Sequence, residues 1–203
     1  MIVVAATRDR LHRRGRLLAW ATIAWNAIEG VVAIAAGISA GSLALVGFGL
    51  DSFIEVFAGS VVIWHLHGIT EEREQPALRL IAVSFFVLAG YVVAEAARDL
   101  LVGNQAGESP IGITLAAVSL AVMPTLAWAK RHTGHALGNA VIIGDSTETT
   151  LCSYLSAILL AGLALNATIG WWWADPLAAL GIAALALREG REAWRGEACC
   201  EVR

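Results

Sequence analysis

The sequence predicts an all-α membrane protein: a six-transmembrane-helix bundle with its N- and C-termini cytoplasmic. Three observations carry that expectation. The 203 residues are 58% hydrophobic and only 15% charged, against about a quarter charged in an average soluble domain, and mean hydropathy is +0.68. Six charge-poor apolar stretches of the roughly 20 residues that a helix needs to cross the hydrocarbon follow one another along the chain. Arginine and lysine gather between alternate stretches. A net charge of -3, with no basic stripe interleaved with aromatics, argues against a nucleic-acid partner. Three cysteines, two adjacent at Cys199-Cys200, make no disulfide framework.

Residues 1–16 form a basic N-terminal segment. Its short apolar run precedes its charges, the reverse of a secretory signal, so the first span is expected to stay in the mature protein. That span covers about 17–37 and holds Asn26 and Glu29. A turn over 37–41 leads to the second, about 42–64, which holds Asp51 and Glu55. One overlong span over 17–50 is the competing division, but the Gly-Ile-Ser-Ala-Gly-Ser stretch breaks it more naturally than tilt accommodates it. The third span is about 77–101 and the fourth about 111–129. The fifth is about 139–163 and holds Asp145 and Glu148; after a turn over 166–170 the sixth covers about 171–187. Residues 17–188 thus make one six-helix transmembrane domain, followed by a short cytoplasmic tail, 189–203. No solenoid repeat and no long linker divide it.

The flanking charges test the count. Arg8, Arg10, Arg13, Arg14 and Arg16 precede the first span. Arg73 and Arg79 lie between the second and third, Lys130 and Arg131 between the fourth and fifth, and Arg188, Arg191, Arg195 and Arg203 after the sixth. Six spans put all of them on one side and only Arg98 on the other, which the positive-inside rule makes the cytoplasm. Trp20, Trp64, Trp128 and Trp194 fall near the inner boundary and Trp171, Trp172 and Trp173 near the outer one, as in an aromatic belt.

Seven acids fall within or beside the spans: Glu29, Asp51, Glu55, Glu95, Asp145, Glu148 and Asp175. No lysine or arginine is expected at mid-depth to pair with them. An acid at a helix centre costs on the order of 3 kcal/mol, so water, protons or a bound cation must offset the set. Asp175 before Pro176 reads as an N-cap of the sixth span, and Glu95 as an interfacial partner of Arg98. Asp51 and Glu55, at i and i+4, share a helix face, and Glu148 and Cys152 repeat that spacing on the fifth span. Facing one another near the midplane, the four suit a divalent metal, with tetrahedral coordination fitting zinc. A water-lined polar seam without metal is the plainer alternative. Asp145 reads as an alternate ligand or a relay on the inner path. Glu29 and Asn26 read equally as lining an aqueous path or as interhelical hydrogen-bonding groups.

At these residues the chain resembles the transmembrane half of the cation diffusion facilitator family of divalent-metal/proton exchangers. The likeness runs through Asn26 and Glu29-Gly30, then Gly41-Ser42-Leu43-Ala44-Leu45 leading into Asp51-Ser52-Phe53-Ile54-Glu55. It continues through Gly144-Asp145 before Glu148, and Trp173-Ala174-Asp175-Pro176. The resemblance implies a four-ligand transport site on Asp51, Glu55, Glu148 and Cys152. Glu and Cys on the fifth span depart from the family's usual His or Asp and Asp. Members commonly carry a dimerising cytoplasmic domain after the sixth span; with the short tail here, any homodimer is expected to form through the membrane helices.

The function expected is export of a divalent cation, zinc first, from the cytoplasm across the cell membrane in exchange for protons by alternating access. Gly47, Gly49, Gly59 and Gly144 suit close helix approach or bending near the site, and equally plain small-residue packing. The only ligand expected is the transported ion, with no prosthetic group. A non-transporting membrane subunit that binds a partner through its acids is the alternative. An intramembrane metal-dependent enzyme fits less well, for want of H-E-x-x-H or a histidine at mid-depth. His12, His65, His67, His132 and His135 all fall near the cytoplasmic face, as solvated boundary residues or as collectors of metal. Cys199-Cys200 reads as two exposed thiols.

Overall fold

A computed structural model describes residues 2–65, 74–103 and 107–195. They form six helices: α1 (Ile2–Ala40), α2 (Leu43–His65), α3 (Glu74–Val102), α4 (Pro110–Leu137), α5 (Ala140–Ile169) and α6 (Ala174–Arg195). No strand occurs among the described residues. Helices α1, α2, α4 and α5 are long and apolar enough to cross a membrane. In α6 the apolar stretch gives way to Arg188, Glu189, Arg191, Glu192 and Arg195.

The helices pack chiefly in pairs, α1 on α2, α4 on α5 and α3 on α6, and α2 also meets α3, α5 and α6. The core is built from small and branched side chains such as Ala33, Ala44, Ala89, Val92, Leu159, Ala179 and Ile182, around the fully buried Phe48. Large apolar residues point outward as well: Ile38, Val87, Leu101 and Trp128 are each at least 66% exposed, which suits a lipid-facing surface. Gly30 and Gly49 allow a close approach of α1 and α2, since a β-carbon on Gly49 would lie 3.0 Å from the Gly30 carbonyl oxygen.

The break between the first two helices falls at Gly41, whose φ of 65° closes α1 in the left-handed region. The helix thus runs through residues 37–40, which the sequence assigns to a turn. Likewise α5 runs through Asn166 to Ile169, and the turn follows at Gly170, φ 71°. The fourth helix is longer than expected, ending at Leu137 rather than near residue 129. Gly138 caps it in the left-handed conformation, and the Asn139 side chain then accepts the Ile142 N–H at 3.2 Å to start α5.

Asp175 corrects a second expectation. It does not cap α6, which already begins at Ala174. Its carboxylate is buried against the start of α2 instead, where Oδ2 accepts the Leu43 and Ala44 N–H groups at 2.9 and 3.3 Å and Oδ1 accepts the Ser42 hydroxyl. The cause is electrostatic: the unpaired N–H groups and positive dipole end of α2 attract a carboxylate, and the neighbouring helix supplies it. Glu95 behaves as expected, 3.0 Å from Arg98.

Replacing Asp175 by Ala strips α2 of its cap and should destabilise the fold by about 2 kcal/mol. Thermal unfolding of the detergent-solubilised protein measures it; an unchanged midpoint would contradict the capping role.

Candidate metal-binding site

Successive turns of α2 and α5 place Asp51, Glu55, Glu148 and Cys152 around one cavity, closed by Phe85 of α3 and by Leu185, Ala186 and Glu189 of α6. Asp51, Glu55 and Cys152 are buried at 7%, 6% and 2% exposure. The space left between the side chains, about 20 Å³, suffices for a single water molecule or ion. Among the described residues, no three His, Cys, Asp or Glu side chains converge closely enough to hold a metal as they stand. The four residues therefore share a cavity without forming a closed coordination sphere.

Glu189 is the acid that the sequence reading missed, placed there in the tail. Helix α6 continues past Leu187, and spacings of three and four residues bring Ala186, Leu185 and Glu189 to the same wall. Its Oε1, like Oε2 of Glu55, is buried without a hydrogen-bond partner among the described residues.

A basic residue does pair with an acid inside the bundle, against expectation. Because α4 runs on to Leu137, Lys130 lies within it, and its ammonium is buried 2.8 Å from Asp145 Oδ2, with side-chain exposures of 1% and 3%. Desolvation forces this arrangement, since an ion withdrawn from water is tolerated only beside an opposite charge and further hydrogen bonds. The second bond goes from Lys130 Nζ to Thr149 Oγ1 at 2.9 Å, and Thr149 Oγ1 lies 3.0 Å from Glu55 Oε1. Asp145 is thus held by Lys130 and does not line the cavity.

Glu29 and Asn26 also lie elsewhere. Ser52 Oγ is 3.3 Å from Glu29 Oε2, and Asn26 donates to the Thr22 carbonyl at 3.1 Å. Asn26 Oδ1, Glu29 Oε1, Ser119 Oγ and Trp25 Nε1 are buried without hydrogen-bond partners among the described residues, a second polar patch between α1 and α4. His132 and His135 are exposed on α4. His67 and Cys199-Cys200 lie outside the described residues.

The cation efflux transmembrane domain matches residues 78–195, more than half of the chain. The chain belongs to the cation efflux family, the cation diffusion facilitators. An uncharacterized transporter of Synechocystis sp. is 27% identical over 153 residues, covering 70% of this chain. The chain spans about half the length of that relative, 49%. The matched domain is described as a transmembrane domain of cation efflux, and the relative is named a transporter. The family match covers α3 to α6 and so includes Glu148, Cys152 and Glu189, while Asp51 and Glu55 precede it.

Replacing Lys130 by Met should destabilise the fold by roughly 3–5 kcal/mol, because it strands Asp145 as an unpaired buried charge. The double variant Lys130→Met/Asp145→Leu should recover most of that loss. Equal unfolding midpoints for the single and double variants would contradict the pairing.

Proposed function

We propose that the chain is a divalent-cation transporter whose cargo, zinc or an ion of similar chemistry, binds in the cavity between α2, α5 and α6. One observation carries the reading: acids and a thiol from three separate helices, Asp51, Glu55, Glu148, Cys152 and Glu189, line a single cavity of ion-sized volume. Membership of the cation efflux family supports it. Oxygen and thiolate donors suit zinc, the thiol favouring a softer ion over magnesium or calcium. Since no three donors converge in this conformation, cargo must draw them together, and binding is coupled to movement of α2, α5 and α6.

Such coupling is what alternating access requires. Carboxylates crowded into a low-dielectric cavity do not all ionise, so the ion-free site carries protons. Metal ligands must be deprotonated, so binding expels those protons and release takes them back. Exchange of cytoplasmic metal for external protons follows from one site. In this reading all six helices cross the cell membrane, with both termini cytoplasmic, and copies pair through their membrane helices.

Metal uptake into proteoliposomes with an imposed pH gradient tests the proposal across a panel of divalent ions. Wild-type protein should carry flux that depends on the gradient, Asp51→Ala should abolish it, and Glu189→Gln should lower it. Zinc added to the solubilised protein between pH 6 and 8 should release protons. Absence of flux and of bound metal in a folded protein would overturn the proposal and favour a partner-binding membrane subunit.

A further inference from the structure

We infer that Thr149, with Lys130 behind it, is a latch that holds Glu55 away from the cargo and that an entering cation must displace. The inference rests on the proposed role of Glu55 as a cargo ligand and adds two residues that do not themselves line the cavity. Lys130 Nζ has no lone pair, so at 2.9 Å it donates to Thr149 Oγ1, and the threonine's single proton must serve another acceptor. Two compete at 3.0 Å: Glu55 Oε1 and the Asp145 carbonyl oxygen one turn back on α5. The Glu55 oxygen is the freer acceptor, since a helix carbonyl already serves its own ladder. The ammonium polarises the hydroxyl and strengthens it as a donor.

The chain Asp145–Lys130–Thr149–Glu55 therefore runs from α4 and α5 across to α2, and every member is 6% exposed or less. It holds one oxygen of Glu55 and leaves the other, Oε2, buried and unpaired at the cavity wall. A divalent ion can meet Oε2 first but recruits the whole carboxylate only by breaking the Thr149 bond. On departure, the hydroxyl recaptures Glu55. The fixed charge of Lys130, two hydrogen bonds from Glu55, also opposes a second cation there. Lys130 and Thr149 are thus positioning residues that weaken equilibrium binding and ease unloading. The absence of a converged ligand set among the described residues is consistent with a latched site.

Titration calorimetry of zinc and of cobalt(II) into the full chain in detergent, beside proteoliposome flux, tests this. Thr149→Val removes the hydroxyl and should bind either ion about tenfold more tightly while unloading more slowly. Thr149→Ser keeps the hydroxyl and should return the wild-type affinity, which a loss of packing alone would not do. Lys130→Gln/Asp145→Asn removes both charges and keeps Thr149, and should tighten binding by about threefold. Unchanged or weaker binding by Thr149→Val overturns the latch. Should that variant fail to fold, Thr149→Ala, which also lacks the hydroxyl, decides in the same way. Wild-type protein that binds neither ion, or whose affinity is indifferent to Glu55→Gln, overturns the cargo reading and the latch with it. Wild-type binding that depends on Glu55 but is insensitive to Thr149→Val overturns the latch alone.

Discussion

A carboxylate inside a helix bundle must be met by a proton, a cation or hydrogen-bond donors, because the surroundings offer little solvation. The interior of this protein is organised around that requirement. Asp175 is met by the first N–H groups of α2, Asp145 by Lys130, and Glu29 by Ser52. Each solution also ties helices together: α6 to α2, α4 to α5, and α1 to α2. Asp51, Glu55, Glu148 and Glu189 are gathered with Cys152 around one cavity. The acids thus divide into a set that holds the bundle together and a set that surrounds an ion-sized space.

The apolar pattern made the helices and their order legible, because lipid and core alike demand runs of apolar residues. Helix ends were harder, and two consequences followed. The step from Gly138 to Asn139 is a C-cap followed by an N-cap, a pairing that marks the end of α4 at Leu137. Reading the end near residue 129 placed Lys130 in a loop and hid its pairing with Asp145. Glu189 was hidden likewise, by ending the last span before α6 itself ends. The i, i+4 pairs on α2 and α5 were legible since period alone fixes them to one face. Asp175 was legible as a cap, but which helix it serves is a tertiary fact: Ser42 and Leu43 lie more than 130 residues away in sequence.

The family match begins at α3, and the two acids of α2 lie ahead of it. Glu148, Cys152 and Glu189 lie within it. Lys130 gives the interior a resident cation beside the cavity. Its charge is spent largely on Asp145, so the cavity keeps its acidic character, and Thr149 carries what remains toward Glu55.

Locating the ion tests the central claim most directly. Anomalous scattering from crystals of the full chain grown with cobalt(II) or cadmium should show one site within the cavity, bounded by Asp51, Glu55, Glu148 and Glu189. An ion found instead at the exposed His132 and His135 of α4, with the cavity holding none, would contradict it.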